Sequence, residues 1–477
     1  MASRRDQLHS YQFIMRRVTS ALVVHEPDSE QLPFRRLGGG VFVGLMVAIL
    51  VAAGFGVYGV FKPGGNTGWQ EDHAVIVEKE TGAVYVYQGK VLHPMINYAS
   101  ALLLAGQQNV EAKEVSRNSL AGATRGTPWG IPGAPTSLPD ADHVLGIPWT
   151  LCSEPRTTTP GQPTTRSILT VGRAPRSSHR LGNQGALVKD ADTGAVYLIW
   201  HSHRYLITDP DSTLGAMVWD EEPVATSSAW LDALPAGQDI ATPRIDDVGS
   251  ESTALANAKV GEVFVVQRNS RQIYYVALAD KLAAITQFQA LLLLGAPELS
   301  SVNTGGHGDG APLGPAQALE APRTDTLLPP EDSPSALPAD PPAIAPSSNT
   351  GASCAVYRDS SPAPEVLLQA TLPDDGRALP TKAHTEEGLS LADRVLVPSG
   401  RIAVIEGVGG RDAPAGGLNL VTDTGVRYPV PDRTVLASLG YGETTPNRLP
   451  ASLVARIPEG PTLDPSRAHN PAPQESR

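Results

Sequence analysis

Residues 37–61 form a run of 25 residues without a charged side chain, LGGGVFVGLMVAILVAAGFGVYGVF. A helix rises about 1.5 Å per residue, so this run can cross a hydrocarbon core of about 30 Å with some tilt. A cleavable signal peptide has a shorter apolar stretch, whereas 36 residues precede this run and no A-x-A site closes it. A buried core helix is the other alternative. The run therefore predicts a retained transmembrane helix.

The charges on either side of the run predict its orientation. Residues 1–61 contain six arginines and four acids, a net charge of +2, and the whole chain carries -12, which leaves -14 on residues 62–477. Positively charged flanks stay in the cytoplasm. We therefore expect a single-pass protein of the inner (plasma) membrane with a cytoplasmic N-terminus and a large extracytoplasmic C-terminal domain. An acidic exterior without a basic block argues against nucleic acid as a partner.

The cytoplasmic segment carries apolar residues at helical spacing, which predicts an amphipathic helix. The stripe consists of Leu8, Tyr11, Met15, Val18 and Leu22. Four arginines lie in the same segment, at positions 4, 5, 16 and 17. Two interpretations fit this pattern. The helix rests on the anionic inner leaflet of the membrane, or it is a docking face for a partner subunit.

The chain has two cysteines, Cys152 and Cys354, and both follow the predicted membrane helix. In an oxidising compartment two otherwise unpaired thiols most simply form one disulfide. The alternative is a pair of buried free thiols. Neither cysteine belongs to a C-x-x-C pair, so a redox or zinc site is not indicated. Closing a loop of about 200 residues would stabilise the fold by roughly 5 kcal/mol.

The part of the chain after the membrane helix contains an internal repeat. VIVEKETGAVYVY at 75–87 and LVKDADTGAVYLI at 187–199 share the string TGAVY, and VFVVQRNSRQIYYV at 263–276 and LVTDTGVRYPV at 420–430 follow the same frame. Each copy predicts a β-hairpin followed by a short apolar helix. A unit of about 40 residues is too small to bury a core alone, so we expect the copies to pack on one another or on a centre.

Two positions in the hairpin define the repeat. A glycine supplies positive φ at the turn, and a tyrosine follows three residues later. These positions are Gly82, Tyr85, Gly194, Tyr197, Gly425 and Tyr428, together with Tyr274 in the copy that has Arg271 in place of the glycine. We interpret the tyrosines as buried strand residues. Stacking of the exposed rings on sugars is the alternative.

The composition of the segments between the copies indicates the fold class and the domain boundaries. Gly and Pro make up 89 of the 477 residues, which disfavours long helical bundles. We expect a β-rich α+β fold, pseudo-two-fold, with four small hairpin–helix repeats around a β-rich central domain. The predicted segments are 1–36 cytoplasmic, 37–61 transmembrane, 62–115 repeat one, 116–185 first part of the centre, 186–257 repeat two, 258–300 repeat three, 301–417 Pro-rich segment and second part of the centre, 418–460 repeat four and 461–477 disordered tail.

The sequence holds no recognisable catalytic constellation. The only Gly-Lys pair, Gly89-Lys90, is followed by Val91, so the P-loop that cradles phosphates and magnesium is absent. H-E-x-x-H and G-x-S-x-G are absent too. His201 and His203 share one face of a strand but lack a third metal ligand, so we interpret them as part of an exposed turn. We expect no catalytic residue, no cofactor and no bound metal.

Several strings, in their order along one single-pass chain, are similar to a known family. They are SRRDQLHSYQFIMRRVTSALV at the start, RGTPWGIPGAPTSLP and WTLC around the first cysteine, SCAVY around the second, and LVTDTGVRYPV, LGYG and LPASLVARIPEGPTLDP near the end. Together they resemble the EccB family, membrane-anchored core subunits of the type VII (ESX) secretion systems of actinobacteria. The resemblance covers nearly the whole chain.

The resemblance implies a structural subunit of a core translocation complex, with an anchor and an extracytoplasmic assembly domain for protein export. The implied partners are EccC, EccD and EccE, other EccB copies, a mycosin protease and, through repeats similar to cell-wall-binding modules, peptidoglycan. Family descriptions also call EccB an ATPase. Because the sequence has no Walker A motif, we expect that it is not an enzyme and that the FtsK-like ATPase EccC supplies the energy.

Overall fold

The computed structural model describes residues 3–24, 33–61, 67–108, 110–159, 162–176, 178–269, 271–304, 308–329, 333–348, 350–372, 379–410, 413–414 and 416–472. Two helices come first, α1 (Arg4–Val24) and α2 (Pro33–Phe61). Within α2, Gly38–Tyr58 is 21 residues long, apolar enough to cross a membrane, and buried nowhere in the fold. The charge-free run therefore forms one exposed helix of membrane-spanning length.

Repeat one is a four-stranded sheet with two helices. Its elements are β1 (Ala74–Glu78), β2 (Val84–Gln88), β3 (Val91–Met95), α3 (Tyr98–Ala105), β4 (Lys113–Val115) and α4 (Arg117–Leu120). The first three strands form a meander, and β4 returns parallel to β1, which gives the order β3-β2-β1-β4. Asn97 caps α3 by accepting the Ser100 amide, and Gly106 ends the helix with a φ of 64°.

The first strands of the centre and then repeat two follow along the chain. The central strands are β5 (Trp149–Thr159), β6 (Gln162–Val171) and β7 (His179–Arg180). Repeat two comprises β8 (Ala186–Asp190), β9 (Val196–Trp200), β10 (His203–Ile207), α5 (Pro210–Ala216), β11 (Val224–Thr226) and α6 (Ser228–Ala233). Its sheet order, β10-β9-β8-β11, repeats the topology of repeat one.

Repeat three has one strand more than the others. It comprises β12 (Val263–Arg268), β13 (Arg271–Ala277), β14 (Leu282–Ile285), α7 (Gln287–Gly295), β15 (Ala311–Pro312), α8 (Pro315–Glu320) and β16 (Arg323–Thr324). The sheet order is β15-β12-β13-β14-β16. Thr286 and Gln289 form a capping box that starts α7.

The second part of the centre precedes repeat four. Its strands are β17 (Ala352–Tyr357), β18 (Glu365–Ala370), β19 (Leu379–Pro380) and β20 (Arg394–Leu396), and the seven-stranded central sheet has the order β19-β20-β6-β5-β17-β18-β7. Repeat four comprises β21 (Ala403–Val408), β22 (Gly417–Val421), β23 (Arg427–Val430), α9 (Arg433–Ser438), β24 (Asn447–Pro450) and α10 (Ala451–Val454), and α11 (Pro465–Ala468) follows.

Shared hydrophobic cores fix the order in which the units pack. One core joins the central sheet to repeat two, through Trp230, and to repeat four, through Leu453. A second core joins repeat four to repeat one. A third joins repeat two to repeat three, where Phe288 of α7 packs with Trp219. The units therefore contact one another in the order one, four, centre, two, three, which places the centre between two pairs of repeats.

The observed units are longer than the predicted segments. The strand β21 lies in the predicted central segment 301–417, but it pairs with β22 and opens repeat four, so that repeat does not begin at 418. Repeat three does not end at 300, because β16 pairs with its β14. The predictions fell short because each repeat is completed by a parallel strand that follows its helix. Such non-local pairing leaves no hairpin signal in the sequence.

The predicted disordered tail, 461–477, is wrong for most of its length. The helix α11 packs on α3 of repeat one, and both Leu463 and Ala468 are fully buried. Backbone hydrogen bonds join Gly130 to Asn470 and Ala472 to Pro128. A few apolar side chains are enough to hold this Pro-rich segment in place. Residues 473–477 lie outside the described part of the chain.

Candidate functional site

Each repeat closes by pairing the segment after its last short helix with its own third strand. The amide of Leu92 donates to Thr124 at 2.8 Å in repeat one, and the amide of Arg204 donates to Pro235 at 3.0 Å in repeat two. Leu282 and Pro322 make the same bond in repeat three at 2.8 Å, and Arg427 and Pro458 in repeat four at 2.9 Å. These closing segments carry each repeat well beyond the unit of about 40 residues that the sequence predicts.

A ring packed on a glycine marks this closure in three repeats. The pairs are His93 with Gly126, Tyr205 with Gly237, and Tyr428 with Gly460. A Cβ placed on these glycines would lie 2.4, 2.2 and 2.5 Å from the ring, so no larger residue fits without movement. In repeat three the small residue and the larger one change places: Ala283 occupies the position of the ring, and Thr324 occupies the position of the glycine. Sequence reasoning missed the pairs, although a glycine 32 or 33 residues after the aromatic residue was a usable signal.

The predicted turn glycines do not all occupy the same turn. Gly82 and Gly194 have φ values of 72° and 78° in the first hairpin of their repeats. Gly425, with a φ of 77°, lies between β22 and β23, the second hairpin of repeat four. In repeat three, Arg271 lies in strand β13, and Asn269 takes the left-handed conformation with a φ of 56°. The alignment of the fourth copy was therefore wrong by one hairpin, because both turns of a meander carry similar residues.

The predicted repeat tyrosines are largely buried. Tyr85, Tyr274 and Tyr428 are 6%, 3% and 6% exposed, and Tyr197 is half-buried. The Tyr85 hydroxyl donates to Glu78 at 3.1 Å, and the Tyr274 hydroxyl donates to Gln272 at 2.9 Å. Burial raises the pKa of all four tyrosines. Three of the four rings therefore offer no open face for a sugar, which disfavours the stacking alternative.

The predicted disulfide is confirmed. Cys152 of β5 and Cys354 of β17 are directly opposed in the central sheet, and their sulfurs are bonded at 2.04 Å. Both residues are fully buried. The bridge joins strands that are 202 residues apart in sequence. It therefore holds together the two chain segments from which the central domain is built.

Repeats two and four meet across the centre through their last helices. The carbonyl of Ala233 in α6 accepts the Tyr357 hydroxyl at 2.8 Å and the Ser452 hydroxyl at 3.0 Å. Asp232, also in α6, bonds Arg204 at 2.6 Å and Arg456 at 3.3 Å. Arg456 follows α10, and its side chain is only 6% exposed. Because each of these groups has a partner, this polar junction fixes the two halves of the repeat body relative to each other.

The stripe on α1 is present and uncovered. Leu8, Tyr11 and Leu22 are 56%, 63% and 74% exposed, and Met15 and Val18 are both 47% exposed. Phe13, which is not part of the stripe, is 60% exposed as well. The helix therefore presents apolar side chains in more than one direction.

The two histidines considered as metal ligands lie at a turn. His201 stacks on Trp200 with the ring centroids 3.8 Å apart, and a ring nitrogen of His203 lies 2.9 Å from the carbonyl of His201. Among the described residues, no group of three or more His, Cys, Asp or Glu side chains is arranged to hold a metal ion.

Among the described residues, one helix of membrane-spanning length precedes a repeat-built, disulfide-linked body, which is the arrangement of a membrane-anchored protein. The family model described as "Type VII secretion system ESX-1, transport TM domain B" matches residues 1–472. The chain therefore belongs to the EccB family of type VII secretion systems.

Relatives support this membership over the whole chain. An "ESX-3 secretion system ATPase EccB3" of Mycolicibacterium smegmatis is 28% identical over 96% of this chain and 89% of its own length. A protein of the same name from Mycobacterium tuberculosis is 27% identical over 99% of this chain and 91% of its own length. Both are named as ATPases.

Solved structures share the fold. An EccB3 dimer from the ESX-3 core complex has a TM-score of 0.61 and 25% identity, and the match covers 83% of this chain and 100% of that one. A chain of an intact ESX-5 inner membrane complex has a TM-score of 0.60 and 22% identity, with coverage of 100% and 98%. The β-rich α+β architecture predicted from the sequence is confirmed.

Proposed function

We propose that this chain is a structural membrane subunit of a type VII protein secretion core complex, in which α2 is the anchor and the four repeats with their centre form the extracytoplasmic assembly domain. The observation that carries the proposal is the family match from residue 1 to 472, which includes the membrane-length helix and the whole repeat body. The role is to build and position a channel for exported proteins.

The proposed topology places α1 in the cytoplasm of the cell and everything after α2 outside the inner membrane. The net charge of +2 before the end of the membrane helix and of -14 after it supports this orientation. The buried disulfide supports it as well, because such bonds persist in oxidising compartments. A single cysteine introduced into α1 should resist a membrane-impermeant thiol reagent in intact cells, and one in repeat three should react.

The proposed role of α1 is to dock onto partner subunits in the cytoplasm or the inner leaflet, with EccC, EccD and EccE as the candidates. A helix that only rests on a lipid surface buries one face. Phe13 is five residues from Leu8, which at about 100° per residue places it about 140° around the helix, and both side chains are exposed. Protein contacts on two sides account for this distribution better than a flat membrane surface does.

The proposed partners of the exterior are other copies of this chain, with a mycosin protease as a further neighbour. The solved relatives include an EccB3 dimer and a periplasmic assembly of the ESX-5 complex. Peptidoglycan is a weaker candidate, because the buried Tyr85, Tyr274 and Tyr428 cannot stack on sugars.

We propose a non-catalytic role in spite of the relatives' name. The sequence has no P-loop, in which backbone amides and a Lys hold phosphates. ATP turnover by the complex should therefore remain when this subunit carries substitutions at its only Gly-Lys pair, Gly89-Lys90. A complex that loses ATP hydrolysis through this subunit while EccC is intact would contradict the proposal.

The experiment for the proposed function is extraction from membranes in mild detergent, followed by native mass measurement and identification of the subunits. We expect the full-length chain in a large assembly with several different subunits. Recovery of the chain only as a free monomer, under conditions that keep other membrane complexes intact, would contradict the proposal.

A further inference from the structure

Helix α5 of repeat two and helix α9 of repeat four end in the same way, but the residue in the left-handed position differs. In repeat four, Gly440 follows the helix in the left-handed conformation, and the amide of Tyr441 bonds Leu436 at 3.1 Å. In repeat two, Trp219 makes the same bond to Leu214 at 3.0 Å, so Val218 occupies the glycine position. A left-handed conformation there is cheap for glycine and costly for a β-branched residue.

Val218 adopts that conformation with a φ of 53° and presents its side chain to solvent. Its side chain is 76% exposed, whereas most large apolar side chains of the repeats are buried. Strained backbone positions cluster at functional sites. Because the Val218 side chain is not buried within its own chain, we expect it to contact another molecule. Its neighbours Met217 and Trp219 are buried and hold it in place.

Val218 lies at the edge of an open groove of about 450 Å³, lined by residues 217–221 and 341–344. The ionisable residues of its lining are Asp220 and Glu221, and Glu222 follows them. Glu221 is already engaged by the Ser347 amide at 3.0 Å, whereas Asp220 and Glu222 are exposed. The groove therefore has a largely polar, acidic lining beside the exposed Val218, which favours an occupant that carries positive charge.

The neighbouring repeat carries a tip of the opposite charge. Arg268 and Arg271 face each other at the end of the β12–β13 hairpin, and both are exposed. Neither forms an ion pair with a described residue. Repeats two and three pack closely, since a Cβ on Gly295 would lie 2.4 Å from that of Ala216. The acidic groove and the basic tip therefore sit on adjoining repeats.

We propose that the Val218 groove of repeat two binds Arg268 and Arg271 of the β12–β13 hairpin in repeat three of a second copy of this chain. Two copies related by a two-fold axis would form this contact twice, because each copy supplies one groove and one tip. The proposal rests on the assembly role proposed above and specifies the surface through which copies of the chain meet.

Substitutions that relieve the backbone strain at Val218 should stabilise the monomer but weaken the pairing of copies. In the full-length protein in detergent, Val218→Gly and Val218→Asn should raise the Tm of the monomer by about 2 °C and weaken pairing of copies by about tenfold. The control Leu319→Ala removes another exposed apolar side chain, 67% exposed on α8, and should leave pairing unchanged. Stabilised variants that pair as tightly as the parent would overturn the proposal.

A charge exchange identifies the occupant. Asp220→Arg with Glu222→Arg should weaken pairing, and so should Arg268→Glu with Arg271→Glu. All four substitutions in one chain should restore pairing, because the charges again oppose one another. Failure of the combined variant to recover would mean that a different subunit fills the groove, and would overturn the proposal. Native mass of the whole complex, measured in parallel, reports separately on the role as a secretion subunit.

Discussion

The Nη1 atom of Arg456 lies 3.3 Å from a carboxylate oxygen of Asp232, and this contact joins the final helices of repeats four and two across the central domain. The same guanidinium donates to the carbonyl of Ser390 at 2.8 Å, so it touches the centre as well. Burial lowers the pKa of Arg456, but the group stays charged because an arginine pKa is far above neutral pH. One buried cation therefore links repeat four to repeat two and to the central domain.

Removal of the Asp232 carboxylate should lower the free energy of unfolding. Asp232→Ala would leave Arg456, 6% exposed, without its carboxylate. Loss of one partner of a buried pair costs about 3–5 kcal/mol, and because Asp232 itself is 36% exposed we expect about 2 kcal/mol. Urea unfolding measures the loss. The control Glu114→Ala, in an exposed pair with Lys79, should change stability by less than about 0.5 kcal/mol; equal effects would contradict the prediction.

Two glycines of repeat two should respond in opposite directions to alanine. Gly237→Ala places a Cβ 2.2 Å from the ring of Tyr205 and should destabilise the fold by about 1–3 kcal/mol. Gly215→Ala, within α5 and with nothing within 4 Å, should be neutral or stabilise by up to about 1 kcal/mol. Thermal unfolding of the two variants decides the matter. A tolerated Gly237→Ala would refute tight packing at the closure.

The reversed pair of repeat three should be exchangeable for the arrangement of the other repeats. Ala283→Tyr alone overfills the site opposite Thr324 and should cost about 2 kcal/mol. Addition of Thr324→Gly should recover part of that loss, because it restores a ring facing a glycine. A double-mutant cycle measures the coupling. Additive effects would mean that the two positions do not share one packing site.

Alkaline pH should unfold the protein partly through Tyr205. Burial raises the pKa of this phenol to about 12 from an ordinary value of 10. The unfolded chain therefore loses the proton first, so the stability that this group contributes is complete below pH 10 and declines as the pH rises towards 12. Tyr205→Phe should flatten the fall of the urea midpoint across that range. An unchanged slope would show that Tyr205 does not contribute.

Loss of the disulfide should weaken the central domain. Replacement of Cys152 and Cys354 together by alanine should lower stability by roughly 5 kcal/mol in the chain-entropy account, because the bridge closes a loop of about 200 residues. Because both residues are fully buried, a mild reductant should not cleave the bond until the protein is unfolded. Mobility on non-reducing gels, with and without urea, follows the bond. Cleavage in the native protein would contradict the burial argument.

Local signals in the sequence predicted the features that depend on neighbouring residues. The charge-free run became the exposed helix α2, the apolar spacing around Tyr11 became α1, and TGAVY placed two hairpin turns correctly. The two cysteines paired because the chain offers no other partner for either.

The missed features depend on residues that are far apart in sequence. Strand β21 was assigned to the centre because its partners β22 and β24 complete repeat four only after a long loop and a helix. The ring–glycine closures were missed because each joins residues more than 30 positions apart. Nothing in the sequence marks Val218, because its left-handed conformation becomes visible only when repeat two is compared with repeat four, where Gly440 takes the same position.

The return of the C-terminal segment to repeat one has a consequence for biogenesis. Repeat one is synthesised first, but Leu463 and Ala468 belong to its shared core, and Pro471 pairs with its Trp129. The hydrophobic surface of repeat one is therefore covered only after residues 463–471 have been synthesised. A chain cut before residue 463 should leave that surface exposed, and an exposed apolar surface favours aggregation.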